Sequence, residues 1–361
     1  MRYKQLKYEG KSMNLTLLLC YILLSVAAVG ATAIMDELGI DNPSENFAGT
    51  ISIFMVAIQF IPIYIYFNKR GGLGSLLNGV GLSGKEFIAA IIITLAINSI
   101  SGPLMEGLES RLSELGLSMF TNYPDEGPGI GDYYVLTFYT VIVAPFVEEI
   151  IYRGVIVGTL KRYSKTLAIV VSGIIFGMMH GNLFQAVYAT ILGMWLAYLM
   201  IETGSIWAPI LLHIINNLYA TIVNDIMFPV MEDMGDVLSI YLLLEVLIFA
   251  ILGVALFIYF IFSIKRKREW KELGNRNHEA NYWNIQNYGN QLQYQGNVQY
   301  FQGERPIINA EINNRVTIAD HVPGDIGTYF SLISTWVIIL LFLWEILADL
   351  LGDILLNLIT I

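Results

Sequence analysis

Phe146-Val147-Glu148-Glu149-Ile150-Ile151-Tyr152-Arg153-Gly154 places two acids and a base inside an apolar run that covers residues 134–158. About 20 apolar residues cross the hydrocarbon core of a bilayer as a helix, so this run is long enough to span it. A charged side chain at the bilayer centre costs about 3 kcal/mol or more to insert. Three ionisable groups within six residues therefore need partners, water or a chemical role. They predict a functional site within a membrane helix.

The rest of the chain has the composition of a membrane protein. Of its 361 residues, 55% are hydrophobic and only 14% are charged, whereas soluble domains carry about 25% charged residues. Apolar runs of membrane-spanning character recur at 14–35, 48–67, 87–104, 134–158, 166–181, 183–201, 205–224, 238–262 and 329–347. These runs predict an all-α, polytopic membrane bundle with an eight-helix core at 14–262 and a ninth, C-terminal membrane segment within 329–361. The single Cys20 excludes a disulfide framework and a cysteine-based zinc site.

Loop charges predict the orientation of the bundle, because Lys and Arg favour cytoplasmic loops. Residues 1–13 are basic, as are the loops after the fourth and eighth spans, whereas segments 105–132 and 225–236 are mainly acidic. The N-terminus is therefore predicted to be cytoplasmic in a multi-pass protein of the cell membrane. The basic start followed by an apolar run also resembles a cleavable signal peptide, but the length of that run favours an uncleaved first helix. Within the acidic loop, 105–118 is predicted as a separate amphipathic helix at the outer interface.

A polar tail separates the eighth span from the ninth. Residues 263–328 are poor in apolar side chains, and 275–303 alone hold seven Asn and six Gln, with Tyr recurring at 282, 288, 294 and 300. Such a tract buries too little apolar surface to fold alone. It is predicted to be a flexible cytoplasmic tail or, alternatively, an element within 275–328 that binds a protein partner.

Helical spacing assigns different roles to the two adjacent glutamates. Glu149 and Arg153 are four residues apart with the acid first, which favours an ion pair on one helix face. Glu148 points elsewhere, so it remains available as a general base. The alternative is that both acids bind Arg153 in a network that only stabilises the fold.

Two further helices carry polar residues that match this site. Gly173, Gly177 and Gly181 recur every fourth residue, and such a stripe lets two membrane helices approach closely. His180 lies on the adjacent stripe and is predicted to face the bundle interior, either as a site residue or as a packed core histidine. On the seventh span, His213 and Asn217 share one face.

These side chains lie at comparable depths. At 1.5 Å per residue, Glu148, His180 and His213 are about 15, 20 and 10 Å from the cytoplasmic ends of their spans. They can therefore converge between the middle of the bilayer and its cytoplasmic side. A carboxylate, two imidazoles and an amide form a set that can activate water and bind an oxyanion.

The three motifs together resemble the CPBP family of intramembrane proteases. They are Glu148-Glu149-x-x-x-Arg153, Phe176-x-x-x-His180 and His213-x-x-x-Asn217, in this order on three membrane helices. The family includes CAAX prenyl proteases of the Ras-converting type and bacteriocin-processing and lysostaphin-resistance-like relatives. The resemblance covers about 87–262, with its signature at 145–217.

The resemblance implies an endopeptidase with a cytoplasm-facing pocket in an eight-helix bundle. By motif, Glu148 and His180 would activate water, His213 and Asn217 would stabilise the oxyanion, and Glu149 and Arg153 would support them. No cofactor is favoured, and the glutamic-type mechanism is preferred to a zinc-dependent one. The sequence has no His-Glu-x-x-His motif, and an Asn ligand to zinc would be unusual. If zinc were bound, Glu148, His180 and His213 would hold it.

Three functions are therefore in competition. The leading hypothesis is an intramembrane peptidase that cleaves a membrane-associated or amphipathic peptide from the cytoplasmic side. The second is a non-catalytic membrane scaffold or bacteriocin-immunity protein that binds a peptide partner. The third is a proton-coupled transporter, but the inverted repeat and broken helices expected of one are missing. The net charge of −10 argues against a nucleic-acid partner.

Overall fold

The computed structural model describes residues 2–40, 45–72, 74–77, 82–114, 134–181, 183–227, 240–267, 269, 334–341 and 343. Every regular element within these ranges is helical. The predicted all-α class is therefore confirmed.

The helices follow the predicted spans closely. They are α1 (Arg2–Glu37), α2 (Glu45–Ile58), α3 (Phe60–Asn68), the short α4 (Gly74–Leu77), α5 (Gly84–Ser113), α6 (Tyr134–Leu160), α7 (Lys165–Met178), α8 (Leu183–Thr203), α9 (Trp207–Thr221, continued by a π-helical turn, Ile222–Met227), α10 (Ile240–Lys267) and α11 (334–341).

Six helices in the described part of the chain are long and apolar enough to cross a membrane: Gln5–Glu37, Phe47–Asn68, Gly84–Arg111, Tyr134–Leu160, Gln185–Thr203 and Ile240–Lys267. Helix α7 is apolar but has only 14 residues, and α9 has 15. The predicted polytopic membrane bundle is confirmed. Two of the three helices that carry the motifs are the short ones.

Two spans differ in detail from the prediction. The second is divided at Gln59 into α2 and α3, and Pro62, which lacks an N–H donor, occupies the first turn of α3. Helix α5 continues without a break to Ser113. Residues 105–113 are therefore helical, as predicted, but they continue α5 instead of forming an element of their own; 115–118 lie outside the described residues, and the interfacial location stays a prediction.

Helix α6 changes its winding around the adjacent glutamates. Two π-helical stretches, Tyr139–Val143 and Ile150–Val157, flank an α-helical turn, Ala144–Glu149. Pro145 lies at the start of that turn and cannot donate the hydrogen bond that would continue the preceding helix. Wide π turns are frequent at functional sites. Glu148 and Glu149 thus lie between two such stretches.

The glycine stripe brings α7 and α8 into close contact. A Cβ atom on Gly173 would lie 2.5 Å from Met194 Cγ and 2.9 Å from the Thr190 carbonyl oxygen. One on Gly177 would collide with Thr190 Oγ1 and the Ala186 carbonyl oxygen. The predicted close approach is confirmed at both positions.

Gly181 does not belong to this stripe. It follows the end of α7 with a φ of +74°, and no neighbouring atom lies within 4 Å of where its Cβ would be. A left-handed conformation of this kind favours glycine. The prediction that Gly181 packs against a neighbouring helix is therefore wrong.

The chain divides into two compact units, one of residues 1–257 with 319–361, and the other of residues 258–318. Within the first unit, α11 contacts the first helix, because the buried Asn14 side chain donates to Ser334 Oγ at 3.0 Å and to Thr335 Oγ1 at 2.9 Å. Ile338 belongs to the hydrophobic core of this unit. In the second unit, residues 258–267 are helical as the end of α10. The Asn- and Gln-rich tract of the predicted tail, 275–303, lies outside the described residues.

Candidate active site

Glu149 forms the ion pair that the sequence predicts. Its Oε2 atom lies 2.9 Å from Arg153 Nε, and both side chains are completely buried. Each charge compensates the other, which matters because an uncompensated charge at such a position would be strongly destabilising. The prediction of a Glu149–Arg153 pair is confirmed.

The same carboxylate also fixes His213. Glu149 Oε1 accepts a hydrogen bond of 2.9 Å from Nδ1 of the buried His213 ring. An imidazole that donates from Nδ1 to a carboxylate has its orientation set by that partner. Its other nitrogen, Nε2, lies 3.8 Å from Glu148 Oε2. Glu149 is therefore a bridge between Arg153 and His213, a role that helical spacing did not indicate.

Glu148 lies in different surroundings from its neighbour. About a third of its side chain, 32%, is exposed, against none of Glu149. Its side chain lines a cavity, whereas the Glu149 side chain is packed in the protein interior. The two acids thus differ in burial and in partners, as the sequence predicts.

His180 is held by its own helix. Its Nδ1 atom donates to the Phe176 carbonyl oxygen at 2.9 Å. This hydrogen bond places the lone pair of the neutral ring on Nε2, because a carbonyl oxygen can only accept. The ring lines the same cavity as Glu148.

Phe176 separates the two histidines. Its ring packs edge-on against His180 and His213, with centroid distances of 5.1 and 5.4 Å. The guanidinium carbon of Arg153 lies 4.6 Å from the centre of the Phe176 ring, in cation–π geometry. Phe176 is 1% exposed. It therefore holds both imidazoles apart and gives Arg153 a second contact.

The site residues surround one cavity of about 450 Å³. Its wall contains four of the six predicted site residues: Glu148, His180, His213 and Asn217. The other two, Glu149 and Arg153, are buried outside the wall. The remaining lining residues are all uncharged: Tyr139, Thr140, Ala144, Phe176, Gln185, Tyr188, Ala189, Leu192, Asn216, Ala220 and Thr221.

Asn217 is fixed by hydrogen bonds at both ends of its amide. Its Nδ2 atom donates to the Thr140 carbonyl oxygen at 2.9 Å, and its Oδ1 atom accepts from Asn216 Nδ2 at 3.1 Å. Asn216 in turn accepts from Tyr188 and Asn98. Sequence reasoning missed Asn216, Tyr188 and Asn98. A polar Asn98 within an apolar span is itself an indication of a buried interaction.

The geometry supports general-base chemistry and does not assemble a zinc site. A carboxylate, two imidazole rings and an amide donor face one void, which is the set needed to activate water and bind an oxyanion. Among the residues that the structure describes, no three His, Cys, Asp or Glu side chains are grouped closely enough to hold a metal ion. Glu148, His180 and His213 all line the cavity without forming such a group, and the preference for a metal-free mechanism stays a prediction.

Comparisons with known proteins agree with the motifs. Residues 131–219 match the family model of type II CAAX prenyl endopeptidases, described as Rce1-like. This match includes all three motifs. A Bacillus subtilis (strain 168) protein, "Putative membrane peptidase YdiL", is 28% identical over 226 residues, which is 58% of this chain and 87% of that protein. No solved structure matches the chain significantly. The two matches support a CPBP-family protease, and the resemblance drawn from the motifs is confirmed.

Proposed function

We propose that this intramembrane protease is an endopeptidase that hydrolyses a peptide bond in a membrane-associated or amphipathic peptide, using water activated by Glu148 and His180. The observation that carries the proposal is the shared cavity of Glu148, His180, His213 and Asn217. Because the cavity lies within a helical membrane bundle, its substrate is a peptide that reaches the bilayer.

In this reaction, the Glu148 carboxylate accepts a proton from water as the water oxygen attacks the carbonyl carbon of the peptide. His180 holds that water through the lone pair on Nε2. The resulting oxyanion accepts a hydrogen bond from the Asn217 amide. Collapse of the tetrahedral intermediate breaks the C–N bond, and Glu148 returns the proton to the leaving amine.

The role of His213 depends on its second nitrogen. Nδ1 is used by Glu149, so His213 can donate to the oxyanion only through a protonated Nε2. Glu149 and Arg153 contribute by orienting this ring and by keeping the buried charges balanced.

We favour a mechanism without metal, since the side chains around the cavity are arranged for water activation rather than for ligation. Elemental analysis of the purified protein tests this preference. We expect no stoichiometric zinc, and we expect cleavage to continue in the presence of a chelator. Stoichiometric zinc that is lost in His180→Ala and His213→Ala variants would overturn the metal-free mechanism.

The N-terminus is proposed to be cytoplasmic, with α1 and α11 both entering the membrane from that side. The loop charges support this orientation. The contact between Asn14 and the start of α11 supports a common side of entry, because it puts the start of the first apolar run and the start of α11 at the same depth. Reporter fusions after residue 13 and after residue 361 test it, with a cytoplasmic and an external location expected respectively.

The activity itself can be tested without knowing the natural substrate. The purified chain is reconstituted into liposomes with a mixture of synthetic amphipathic peptides, and new termini are identified by mass spectrometry. We expect cleavage by the wild type and none by Glu148→Gln or His180→Ala proteins that insert and purify normally. Equal cleavage by the wild type and both variants would refute the proposed chemistry.

The non-catalytic alternative makes the opposite prediction in cells. A scaffold or immunity protein would keep its biological effect with Glu148→Gln and His180→Ala, and would lose it when 275–361 are deleted. The polar tail, 275–328, is the segment proposed to contact a protein partner in that case.

A further inference from the structure

Three polar side chains from three helices form a closed hydrogen-bonded triangle beside the cavity. Asn98 of α5 donates through Nδ2 to the Tyr188 hydroxyl of α8 at 3.0 Å and to Asn216 Oδ1 of α9 at 3.1 Å. The Tyr188 hydroxyl donates to the same Asn216 oxygen at 2.6 Å. Asn216 is buried and the other two side chains are partly buried. A hydrogen-bonded network of this kind, with each member satisfied, rigidifies the groups within it.

The triangle determines which way the Asn216 amide faces. With two donors directed at its Oδ1 atom, Asn216 must turn its NH₂ group in the opposite direction, because oxygen accepts and nitrogen donates. That NH₂ group donates to Asn217 Oδ1 at 3.1 Å. The orientation of the Asn216 amide thus determines which side of the Asn217 amide faces it.

Asn217 is oriented by the same logic. Its oxygen is used by Asn216, and one hydrogen of its Nδ2 group is used by the Thr140 carbonyl oxygen at 2.9 Å. An amide NH₂ group has two hydrogens. The second one is the donor that can meet an oxyanion in the cavity, whereas a flipped amide would present its oxygen and repel one.

We propose that Asn98 and Tyr188 are positioning residues that act through Asn216 to aim the Asn217 amide at the oxyanion. This inference rests on the proposed peptidase function. It goes beyond the three sequence motifs, because Asn98 and Tyr188 lie outside them and Asn216 occupies a variable position of the third. The two residues contribute to kcat by fixing a donor and do not take part in the chemistry directly.

A neighbouring cluster on the same helices provides a matched control. Ser99 follows Asn98 on α5, and Tyr219 lies two residues beyond Asn217 on α9. Their hydroxyls both donate to Glu245 of α10. Tyr219→Phe therefore removes a hydroxyl from a comparable interhelical network, whose hydrogen bonds among the described residues do not include the Asn217 amide.

The test is a double-mutant cycle on peptide cleavage in liposomes, using the peptide of the synthetic mixture that the wild type cleaves fastest. We expect Tyr188→Phe and Asn98→Ala to lower kcat about tenfold, less than the 10²- to 10³-fold loss for removal of an oxyanion donor. KM should change less than kcat. Tyr219→Phe should retain nearly wild-type kcat. In an Asn217→Ala background, Tyr188→Phe should have no further effect on kcat, since the group it positions is already absent.

Each other result counts against the inference in an identifiable way. If Tyr188→Phe lowers kcat equally with and without Asn217, Tyr188 does not act through that amide. If only KM rises, Tyr188 contributes to substrate binding in the cavity and is not a positioning residue. If Tyr219→Phe lowers kcat to the same extent, the effect is a general loss of helix packing. If the wild type cleaves no peptide, the proposed function fails first.

Discussion

The Nδ1 atom of His213 lies 2.9 Å from Oε1 of Glu149. The other oxygen of the same carboxylate lies 2.9 Å from Arg153 Nε. One buried acid therefore neutralises a base on its own helix and orients an imidazole on another. Glu148, the adjacent residue, faces the cavity with a third of its side chain exposed. Glu149 therefore has a structural role, and Glu148 is the glutamate available for the proposed chemistry.

Replacing the two glutamates by glutamine should have different consequences. Glu148→Gln removes the proposed base, so we expect cleavage to fall at least 10²-fold, the usual contribution of a general base. Its thermal stability should change little, because Glu148 has no ion pair with Arg153. Glu149→Gln should lower stability by about 3–5 kcal/mol, since it leaves the Arg153 charge buried and uncompensated. Peptide cleavage and thermal unfolding in detergent measure the two effects.

Loss of stability in Glu148→Gln that equals the loss in Glu149→Gln would contradict this division. Both acids would then belong to one stabilising network around Arg153, which is the alternative that the spacing in the sequence left open.

Removing the buried charges together should separate stability from activity. Glu149→Leu alone leaves Arg153 unpaired and should be strongly destabilising, whereas Glu149→Leu with Arg153→Met replaces the pair by apolar side chains of similar size. Such replacements are often neutral or stabilising. We expect the double variant to recover most of the stability but not the activity, because His213 still lacks its acceptor. A double variant with wild-type cleavage would show that Glu149 does not position His213.

Spacing along single helices predicted much of this site. The interval of four residues identified the Glu149–Arg153 pair, and the repeat of Gly173 and Gly177 identified a close helix contact. Both depend on helical geometry alone, which the sequence encodes directly. The apolar runs likewise predicted the helices, because a membrane span must satisfy its backbone hydrogen bonds internally.

Spacing along a single helix does not predict contacts between residues that are far apart in the sequence. His213 and Glu149 are 64 residues apart, and Asn98 and Asn216 are 118 apart. Which face of one helix meets which face of another depends on packing of the whole bundle, so no local interval predicts these bonds.

The close contact of α7 with α8 predicts a sharp difference between two helical glycines. Gly177→Ala would drive a methyl group into Thr190 and Ala186, so we expect a loss of about 1–3 kcal/mol in stability, as for other overpacked sites. Activity should fall as well, because α7 carries His180. Gly30→Ala in α1 is the matched control, since nothing lies within 4 Å of its added methyl. It should unfold at or above the wild-type temperature, and equal destabilisation of both variants would contradict the close contact.

The contact between α1 and α11 predicts that the C-terminal segment stabilises the bundle through Asn14. Its amide donates to Ser334 and Thr335, and both Asn14 and Thr335 are buried. Asn14→Val should lower the stability of the full chain by about 1–3 kcal/mol, the usual effect of breaking buried hydrogen bonds. In a chain that ends at residue 318 these two bonds are already absent, so the same substitution should have a much smaller effect. Thermal unfolding of all four proteins in detergent measures this coupling. An equal effect of Asn14→Val in both backgrounds would show that Asn14 stabilises the first helix by itself and that α11 contributes nothing through it.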